Sequence, residues 1–589
     1  MSDQRSKLVL QAAARATISA ESRRNMPFET GGILLGYRED RCIVVTYVLA
    51  VPAMSASPTR YIRDDVRANE QLRRYLATRD PDDPIGYVGE WHSHPCPCGP
   101  SSIDIEAICT TAHETSGPIA LVVCSPLRDP EFGAVIAVRP SPRRVVAKEV
   151  TVEPHDQDYD PIGPLPVEAV RGDGPVFISY RQSDGSARAD SLEGLLRAAG
   201  LVVWRDHSDL HAGTTIDRLE QALTAGLSAG VLIVTPQIAD SRIVKERELP
   251  RLLQLDEDPA FSLSVATEIP DPAHPDKPDY AAPDQLLGLA PARTLGDKKQ
   301  TDTRSQAGRL EIVRDLLMHR IEQRRASIAA NGGVFTMNTQ TRLEPSALDA
   351  GKSDLHLRIK PASEGRLPSV QGLRDLQATL PLTSDAVRAS RASTVRIAGG
   401  MHLSVALAVG AALPETKIGH VEVIDLRDAV WTSKASDDSD QPLIVTEAIN
   451  GDFDSAKKAP CKIAIFVTLT KNADTTGFDY LVAERGGLFS SASCIHLATE
   501  GSVDPHEASR LSVEVADEIK RLSTQFDRAE VHLAYHGPYT MAVLIGRLLN
   551  TLRTVVYEWG NSEEVGPMYT PVLTLEPGVT QGPITNVLL

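Results

Sequence analysis

Two histidines flank a single serine in the stretch GEWHSHPCPCGPSSIDIEA, and an aspartate follows in the next predicted helix. Alternate residues of a strand point to the same side, so a strand ending here would aim His92 and His94 in one direction. A helix that starts near PSSID would carry Asp104 in its first turn, with Ser101 or Ser102 as its N-cap. Two imidazoles and one carboxylate leave a fourth position open on a tetrahedral metal, as in catalytic zinc sites.

A glutamate upstream of the histidines supplies the acid-base group that such a site needs. The stretch FETGGILLGYRED runs from Glu29 through a diglycine into an apolar strand, and RCIVVTYVLAV is predicted to pair with it as a hairpin. A carboxylate beside the metal can take the proton of a water that zinc has acidified. The combination predicts a hydrolytic metal centre.

Together these segments resemble the JAMM (JAB/MPN-type) metalloprotease family, whose pattern is a strand glutamate, then H-x-H, then S-x-x-D. The resemblance covers roughly residues 1–150. It implies an α+β domain, zinc as the cofactor, and hydrolysis of peptide or isopeptide bonds. In the family, the two histidines and the aspartate hold the metal, the glutamate is the general base, and the serine helps to hold the oxyanion. The matching residues here are His92, His94, Asp104, Glu29 and Ser101.

The loop between His94 and Ser101 leaves two alternatives open. It has six residues, PCPCGP, where the family usually has seven. Choosing Ser102 instead would break the S-x-x-D spacing, so Ser101 is preferred. Cys96 and Cys98 in the same loop could compete for the metal, although a C-P-C sequence in a loop is more often a pair of reduced surface thiols.

The chain as a whole is long enough for about three domains. It has 589 residues, of which 42% are hydrophobic and 24% charged, and a formal net charge of −17. That acidity excludes a general coat for long nucleic acids but allows a small nucleotide pocket. The start lacks a signal-peptide pattern, no apolar run could span a bilayer, and the seven cysteines are scattered. The sequence therefore predicts a soluble cytoplasmic protein without a membrane partner.

Irregular stretches rich in turn residues divide the chain. The stretch TVEPHDQDYDPIGPLPVEAVRG, residues 151–172, carries prolines and acids without apolar periodicity, which is typical of a linker. A second linker is predicted at 331–364. The expected domains are therefore residues 1–150, 173–330 and 365–589.

Strands and helices alternate in the central domain. The stretches GPVFISYRQSDG, LVVWRD and AGVLIVTP supply buried strands, while ADSLEGLLRAAG and TIDRLEQALTAG supply the helices between them. Such alternation predicts a doubly wound parallel sheet that binds its ligand at the carboxyl ends of the strands.

The segments FISY, VVWRD and VTP resemble a flavodoxin-like TIR domain, in particular those of bacterial defence effectors. Enzymatic members cleave the bond between nicotinamide and ribose in NAD+, using a glutamate on the helix after the VTP strand. Glu248 is the best match to that glutamate, and Glu246 is the alternative. The resemblance also implies that Tyr180, Arg181 and Asp206 line the NAD+ pocket. The tryptophan usual in that helix is an isoleucine here, and a module that only self-associates is the competing interpretation.

The C-terminal domain contains an internal repeat. The stretches HLSVALAVGAALPETKIGHVEV and YTMAVLIGRLLNTLRTVVYEW align at a constant offset of 136, which pairs Gly410 with Gly546 and Glu422 with Glu558. Each copy has the pattern of a strand end, a tight turn, a helix and a further strand. The repeat predicts two Rossmann-like halves related by a pseudo-two-fold axis, with helix starts suited to phosphates.

The stretch HLAYHGPYTMAVLIGRLLN makes this region resemble the SAVED domain, a fused pair of CARF-like Rossmann units that binds cyclic oligonucleotides. The resemblance implies a cyclic di- or trinucleotide held by the two turns. The implied contacts are Gly399, Gly400, Met401, His402, His536, Gly537 and Tyr539.

A TIR domain followed by a SAVED domain is the order of effectors in cyclic-oligonucleotide anti-phage defence. The predicted function is an effector in which nucleotide binding drives assembly into oligomers or filaments and activates NAD+ hydrolysis. The fused zinc enzyme would act on ubiquitin-like conjugates or a peptide. The alternative is a nucleotide-regulated JAMM protease in which the TIR domain is only a scaffold for assembly.

Overall fold

The structure is a computed structural model. It describes residues 7–39, 42–77, 85–97, 99–115, 117–126, 131–141, 144–155, 165–204, 222–241, 243–289, 294–342, 353–360, 362, 366–435, 441–451, 453, 461–471, 474–499, 501–562 and 566–589. Among these residues, no helix is both long and apolar enough to cross a membrane.

The N-terminal unit is built on an eight-stranded sheet with the order β10-β1-β3-β2-β6-β7-β8-β9. Its strands are β1 (Lys7–Gln11), β2 (Gly31–Glu39), β3 (Cys42–Val51), β6 (Gly86–Ser93), β7 (Ile119–Ser125), β8 (Glu131–Ser141), β9 (Arg144–Val150) and β10 (Val152–His155), with a separate hairpin of β4 (Ala53–Ser57) and β5 (Arg60–Arg63). Its helices are α1 (Ala12–Asn25), α2 (Asp65–Ala77) and α3 (Ser102–Glu114).

The diglycine lets β2 approach both of its neighbours. A Cβ on Gly32 would lie 1.8 Å from the carbonyl oxygen of Leu49 on β3, and one on Gly31 would lie 2.5 Å from the carbonyl oxygen of Trp91 on β6. The predicted hairpin of β2 and β3 is confirmed, and β2 also pairs with β6 so that Gly31 lies opposite His92. This pairing carries the start of β2 to the end of the histidine strand.

The central unit is a five-stranded parallel sheet with the order β12-β11-β13-β14-β15. Its strands are β11 (Val176–Ser179), β12 (Val203–Trp204), β13 (Ala229–Val234), β14 (Ser262–Thr267) and β15 (Lys299–Asp302), and its helices are α4 (Gln182–Ala199), α5 (Leu249–Leu255), α6 (Ala282–Leu287) and α7 (Gln306–Ala330). Two short turns, Ile238–Asp240 with 3-10 geometry and Val244–Glu248 with π geometry, precede α5. An order with the first strand between the second and third is common among doubly wound sheets. Most of the predicted helix TIDRLEQALTAG lies outside the described residues.

The C-terminal unit contains two sheets of equivalent topology. The first has the order β17-β16-β18-β19-β20, and the second has β23-β22-β24-β25-β26, extended by β21 at one edge and β27 at the other. Their strands are β16 (Val334–Gln340), β17 (Leu355–Arg358), β18 (Thr394–Gly400), β19 (His420–Ile424), β20 (Val430–Thr432), β21 (Ile444–Ala448), β22 (Lys462–Thr468), β23 (Ser491–Leu497), β24 (Glu530–His536), β25 (Thr554–Ser562), β26 (Gly566–Leu575) and β27 (Ile584–Val587). The helices are α8 (Val370–Ala389), α9 (Leu403–Ala412), α10 (Thr476–Arg485), α11 (Ala508–Gln525) and α12 (Tyr539–Leu548), with 3-10 turns at Gly486–Leu488 and Pro505–Glu507.

The two halves meet through reciprocal contacts of α9 and α12. A Cβ on Gly410 would lie 2.1 Å from the carbonyl oxygen of Val543, and one on Gly546 would lie 2.3 Å from that of Leu407. Both contacts join equivalent positions of the repeat in opposite directions, as a two-fold axis requires. The glycines that the repeat singled out are therefore the points of closest approach between the halves.

One pairing of the predicted repeat is wrong. The sheet register places Glu422 at the position of Val555, since their partners on β18 and β24 are 136 residues apart. The offset after the helices is therefore 133 (555 − 422), because the second copy has a shorter connection between helix and strand. Glu558 corresponds to Asp425 rather than to Glu422.

The predicted linker at 331–364 contributes β16 and β17 to the first sheet. Phe335 and Met337 alternate with more exposed residues and are buried in a core that continues into the central unit. At the junction the Thr383 hydroxyl donates to the carbonyl of Ala199 at 3.2 Å, and the His356 amide donates to that of Gly200 at 2.7 Å. The central and C-terminal units thus share one hydrophobic core.

Candidate functional site

The two histidines and the aspartate of the opening motif converge on one point. His92 lies near the end of β6, His94 directly follows it, and Asp104 lies in the first turn of α3. The Nε2 atoms of the histidines are 3.1 Å apart, and the Asp104 carboxylate oxygens lie 3.3 Å from His92 Nε2 and 3.5 Å from His94 Nε2. Among the described residues, these three form a group that could hold a metal ion.

The spacing of the three side chains is compatible with a tetrahedral cation. Donor distances of about 2.0–2.1 Å to a tetrahedral metal place the donors about 3.3 Å from one another. The two Nε2 atoms, 3.1 Å apart, and the pair His92 Nε2 and Asp104 Oδ1, 3.3 Å apart, lie close to that value, and the second carboxylate oxygen, Oδ2, lies 3.5 Å from His94 Nε2. Two nitrogens and one oxygen also match the ligand types of catalytic zinc sites.

Asp104 is oriented by a capping box at the start of α3. The Ser101 amide donates to Asp104 Oδ2 at 2.6 Å, and the Asp104 amide donates to Ser101 Oγ at 3.3 Å. Burial acts to raise the pKa of Asp104, but hydrogen bonds from His92 and Ser101 outweigh it and hold that pKa well below its usual range. The carboxylate is therefore ionised and aimed at the histidines, and the Ser101 side chain serves as the N-cap.

Glu29 lies beside this group. Its amide donates to the carbonyl of Ser57 on β4 at 2.9 Å, and its side chain is only 8% exposed. Burial raises the pKa of Glu29, and the charge of Asp104 acts in the same direction against the opposing effect of His92. A carboxylate with a raised pKa is suited to accept a proton near neutral pH. Of the two loop cysteines, Cys96 is exposed, and Cys98 lies outside the described residues.

The predicted glutamate of the central unit is buried against a strand end. The hydroxyl of Ser179, the last residue of β11, donates to Glu248 Oε2 at 2.5 Å, and the two side chains are 0% and 6% exposed. This contact lies at the carboxyl edge of the parallel sheet, where doubly wound folds bind ligands. Glu248 ends the π-helical turn, a local geometry that recurs at functional sites. The side chain of Glu246 lies outside the described residues.

Other predicted pocket residues lie at the same edge. Tyr180 and Arg181 directly follow β11 and are buried. Arg181 donates to Gln237 Oε1, just after β13, at 3.0 Å and to Asp184 Oδ1 at 3.3 Å. Asp206 lies outside the described residues. Ser179 and Gln237 were missed because a strand-end serine or glutamine has no distinctive spacing.

The π-helical turn also contacts the N-terminal unit. The guanidinium carbon of Arg247 lies 4.8 Å from the centre of the Tyr37 ring on β2, and both residues are largely buried. This is the geometry of a cation–π contact. This contact connects the N-terminal and central units, because Tyr37 lies on the strand that follows Glu29 and Arg247 directly precedes Glu248.

The first predicted nucleotide turn presents mainly backbone. Gly399 has a φ of 116°, and a Cβ there would lie 2.2 Å from the carbonyl oxygen of Thr339, so this position requires glycine. The Gly400 amide donates to the Gln340 side chain at 2.9 Å. Met401 and His402 are 3% and 1% exposed, and the His402 ring contacts the Thr341 hydroxyl. The structure places the Met401 and His402 side chains in the interior, and their contact with a nucleotide stays a prediction.

The second predicted turn is more accessible. His536 contacts the Thr470 hydroxyl through Nδ1 at 2.8 Å, and burial lowers its pKa. A Cβ on Gly537 would lie 2.5 Å from the hydroxyl oxygen of Tyr535. The partly buried Tyr539 donates to the carbonyl of Ile424, in the other half.

A carboxylate of one half caps a helix of the other. Glu558 on β25 accepts hydrogen bonds from the Ser404 amide at 2.6 Å and the Ser404 hydroxyl at 2.7 Å, at the start of α9. Burial raises the pKa of Glu558. Each helix start thus contacts the equivalent strand of the opposite half, β25 for α9 and β19 for α12. The contact was not predicted, because it depends on how the two halves pack.

Comparisons with known proteins place a family at each end of the chain. The family of prokaryotic homologs of the JAB domain matches residues 11–143. The SAVED family, described as the SMODS-associated and fused to various effectors sensor domain, matches residues 376–575. Neither match reaches the central unit. The chain therefore combines a JAB-type domain with a SAVED domain.

Solved structures with weak similarity include a Cap4 SAVED/CARF-domain containing receptor from Acinetobacter baumannii. Its complex with the cyclic trinucleotide 2'3'3'-cAAA is 11% identical, with 59% of this chain and 87% of that chain covered and a TM-score of 0.35. Its complex with 3'3'3'-cAAA is 9% identical, with 74% and 90% covered and a TM-score of 0.34. Protein DSY2949 from Desulfitobacterium hafniense is 20% identical, with 26% and 95% covered and a TM-score of 0.20. Among curated proteins, none matches the chain.

Proposed function

We propose that this protein is a cyclic-oligonucleotide-regulated hydrolase of anti-phage defence whose JAB-type unit is a zinc-dependent peptidase or isopeptidase. The observation that carries the proposal is the convergence of His92, His94 and Asp104 within 3.1–3.5 Å beside the buried Glu29. The SAVED family match supports the sensing role. The JAB family match supports a peptide or isopeptide bond as the target, in ubiquitin-like conjugates or a peptide.

Different residues of the chain have different roles in the proposed hydrolysis. Bound to His92, His94 and Asp104, zinc would polarise the substrate carbonyl and lower the pKa of a water molecule. Glu29 would accept a proton from the attacking water as the carbon–oxygen bond forms, and would return that proton to the leaving nitrogen as the carbon–nitrogen bond breaks. The Ser101 hydroxyl, whose oxygen already accepts from the Asp104 amide, can donate its hydrogen to the oxyanion.

The test uses the full chain loaded with zinc. Isopeptide-linked ubiquitin-like conjugates and fluorogenic peptides are incubated with it, with and without a panel of cyclic di- and trinucleotides. Cleavage is expected in the wild type, and the Glu29→Gln variant should keep its zinc and lose at least about a hundredfold in rate, because an amide cannot accept the proton. Equal rates in the two proteins would reject Glu29 as the base.

In the proposed sensor, the cyclic nucleotide binds at the two turns of the C-terminal unit. The turn of Gly399, Gly400, Met401 and His402 in one half, with His536, Gly537 and Tyr539 from the other half, would contact the phosphates and sugars of a cyclic di- or trinucleotide. Such a ligand carries only a few phosphates, so the overall negative charge does not oppose it. The nucleotide acts as an activator and drives self-association into oligomers or filaments.

NAD+ hydrolysis by a TIR-type central unit is the second candidate function. The buried contact of Glu248 with Ser179 at the carboxyl edge of a parallel sheet favours it. The C1′–nitrogen bond of the nicotinamide riboside breaks and its electron pair leaves with nicotinamide. Water then bonds to C1′ and releases a proton, while the Glu248 carboxylate stabilises the positive charge or binds the ribose hydroxyls. Tyr180, Arg181 and Asp206 would line this pocket.

NAD+ consumption separates this candidate from a scaffold role for the central unit. Purified wild type and Glu248→Ala proteins are mixed with NAD+ and the nucleotide panel, and NAD+ is followed over time. Loss of NAD+ in the wild type alone supports the enzyme. No loss in either protein, with intact peptidase activity, would leave the central unit as a scaffold for assembly.

A further inference from the structure

The contact between Ser179 and Glu248 is short, buried and formed by residues far apart in the chain. Ser179 ends β11, the strand at the second position of the central sheet, and its hydroxyl reaches Glu248 Oε2 at 2.5 Å. The serine side chain is fully buried, and the glutamate is 6% exposed. A hydroxyl that donates to a carboxylate forms a shorter and stronger hydrogen bond than a neutral pair does.

The backbone geometry around Glu248 gives the hydrogen bond from Ser179 a role in orienting the carboxylate. Glu248 ends the π-helical turn Val244–Glu248, and α5 begins at the next residue. One extra residue in a turn rotates the side chains that follow it, so the direction of the carboxylate depends on how this turn packs. Ser179 belongs to a strand that has a neighbour on each side in the sheet. We therefore expect Ser179 to be held more rigidly than Glu248 at the end of the π-helical turn. The Ser179 hydroxyl therefore helps to fix the direction of the Glu248 side chain.

We propose that Ser179 is a positioning residue that holds the Glu248 carboxylate for NAD+ cleavage. This inference rests on the proposed NAD+ hydrolysis. Ser179 acts through the glutamate and needs no contact with NAD+ itself. Without the hydroxyl the carboxylate would lose one of the hydrogen bonds that hold its direction, so the barrier to cleavage should rise while NAD+ affinity changes little.

A second buried serine provides a matched control. The Ser228 hydroxyl donates to the carbonyl of Gly174 at 2.7 Å, at the amino end of the same sheet. Like Ser179, Ser228 is buried, at 2% exposed, but it lies at the edge away from Glu248. Ser228→Ala removes this hydrogen bond and the one that Ser228 Oγ accepts from Arg320 at 3.2 Å, without touching the carboxyl edge.

The experiment measures kcat and KM for NAD+ with the full chain and with the member of the cyclic di- and trinucleotide panel that activates the wild type. The Ser179→Ala variant should lose about 10- to 100-fold in kcat with KM within about twofold, the effect of one hydrogen bond to a charged group. Ser179→Thr, which keeps a hydroxyl, should recover part of the loss. Ser228→Ala should keep the wild-type kcat even if it lowers the melting temperature.

Three results would overturn the inference. A Ser179→Ala protein with a kcat within twofold of the wild type would remove the positioning role. An equal fall in the kcat of Ser228→Ala would show that the effect comes from general stability. A well-folded Ser179→Thr protein whose kcat is no higher than that of Ser179→Ala would show that the hydroxyl does not position the carboxylate. A wild type that cleaves no NAD+ with any nucleotide would instead reject the NAD+ hydrolysis itself, and this inference with it.

Discussion

Asp104 shows how a single residue can serve both its helix and a proposed metal centre. Its Oδ2 atom accepts from the Ser101 amide at 2.6 Å, and its two oxygens face the Nε2 atoms of His92 and His94. Groups that orient a metal ligand in this way also raise the precision of the site. The capping box and the metal centre are therefore one structural unit.

The metal centre leads to a prediction about zinc content. His94→Ala removes one of three ligands, and the remaining pair should not hold zinc against its hydration. Wild-type protein dialysed against buffer should retain about one zinc per chain, and the variant should retain less than about a tenth of that, by elemental analysis. His113→Ala, in the last turn of α3 and exposed, is the control and should retain the full amount. Full zinc occupancy in His94→Ala would show that the metal lies elsewhere.

At the scale of elements, the crossing of α9 and α12 holds the two halves of the sensor together. Arg547 on α12 is almost fully buried and donates to three carbonyls of the other half, at Leu413, Ile418 and Gly419. Burial lowers its pKa, so the three carbonyls are needed to hold the charge in the interior. The helix pair combines close backbone contact with one buried cation.

The crossing predicts that a single methyl group will destabilise the sensor. Gly410→Ala would place a Cβ 2.1 Å from the carbonyl oxygen of Val543, so the helices must separate. The cost should be about 1–3 kcal/mol, larger than the gain in helix propensity of about 1 kcal/mol. It should appear as a lower melting temperature and faster hydrogen exchange in α9 and α12. Gly487→Ala, where a Cβ would meet nothing within 4 Å, is the control. Identical melting curves for the two variants would contradict the predicted overlap.

A cluster of charges on β22, on β24 and just before β25 predicts pH-dependent stability. Glu530 Oε1 lies 3.1 Å from His532 Nε2 and 3.2 Å from Lys462 Nζ, and Oε2 lies 2.5 Å from Arg553 Nε. The hydrogen bond from His532, followed by the charges of Lys462 and Arg553, outweighs burial and lowers the pKa of Glu530 to about 2. Since the folded value is below the usual 4.5, this stabilisation is complete above about pH 4.5 and is lost as the pH falls toward 2.

Glu530→Gln isolates that contribution. The amide keeps the shape of the side chain but has no charge to lose, so the variant should melt at a lower temperature than the wild type at pH 6. The difference between the two should shrink steadily below pH 4.5. Thermal melting of both full-length proteins between pH 3 and pH 7 measures it. A difference that stays constant over this range would mean that Glu530 stabilises through shape alone.

For the whole molecule, the shared core joins the SAVED unit to the central unit. Helix α4 starts after Arg181, at the predicted NAD+ pocket, and packs against α8 and β17 of the C-terminal unit. Gly194 on α4 lies so close to α8 that a Cβ there would be 2.6 Å from Asp375 Oδ2. A shift of the sensor would therefore be transmitted to α4 directly. A ligand can drive such a shift only if it binds the two states with different affinities.

Assembly is the predicted outcome of nucleotide binding. The correct cyclic nucleotide should convert small species to large ones in light scattering, because a head-to-tail contact that does not close grows into filaments. NAD+ activity should rise more steeply than linearly with protein concentration. Alanine at both His536 and Tyr539 should abolish both responses and leave the zinc content unchanged, since the metal centre lies in another unit. Full activation of a protein that remains monomeric would rule out assembly as the switch.

The sequence by itself determined the features that depend on short spacing and on periodicity. His92 and His94 share a strand face because they are two residues apart, and the S-x-x-D pattern of Ser101 and Asp104 builds the capping box within one helical turn. The hairpin after Glu29 followed in the same way from alternating apolar residues. In each case the backbone geometry over a few residues decides where the side chains point.

Only the tertiary structure decided the contacts between distant segments. Ser179 meets Glu248 across 69 positions of the chain, and Glu558 caps Ser404 across 154. The same holds for the predicted linker at 331–364, whose strands are buried because α4 packs on β17 and α7 packs on β16. Such contacts depend on how whole elements pack against one another, a choice that local periodicity does not encode.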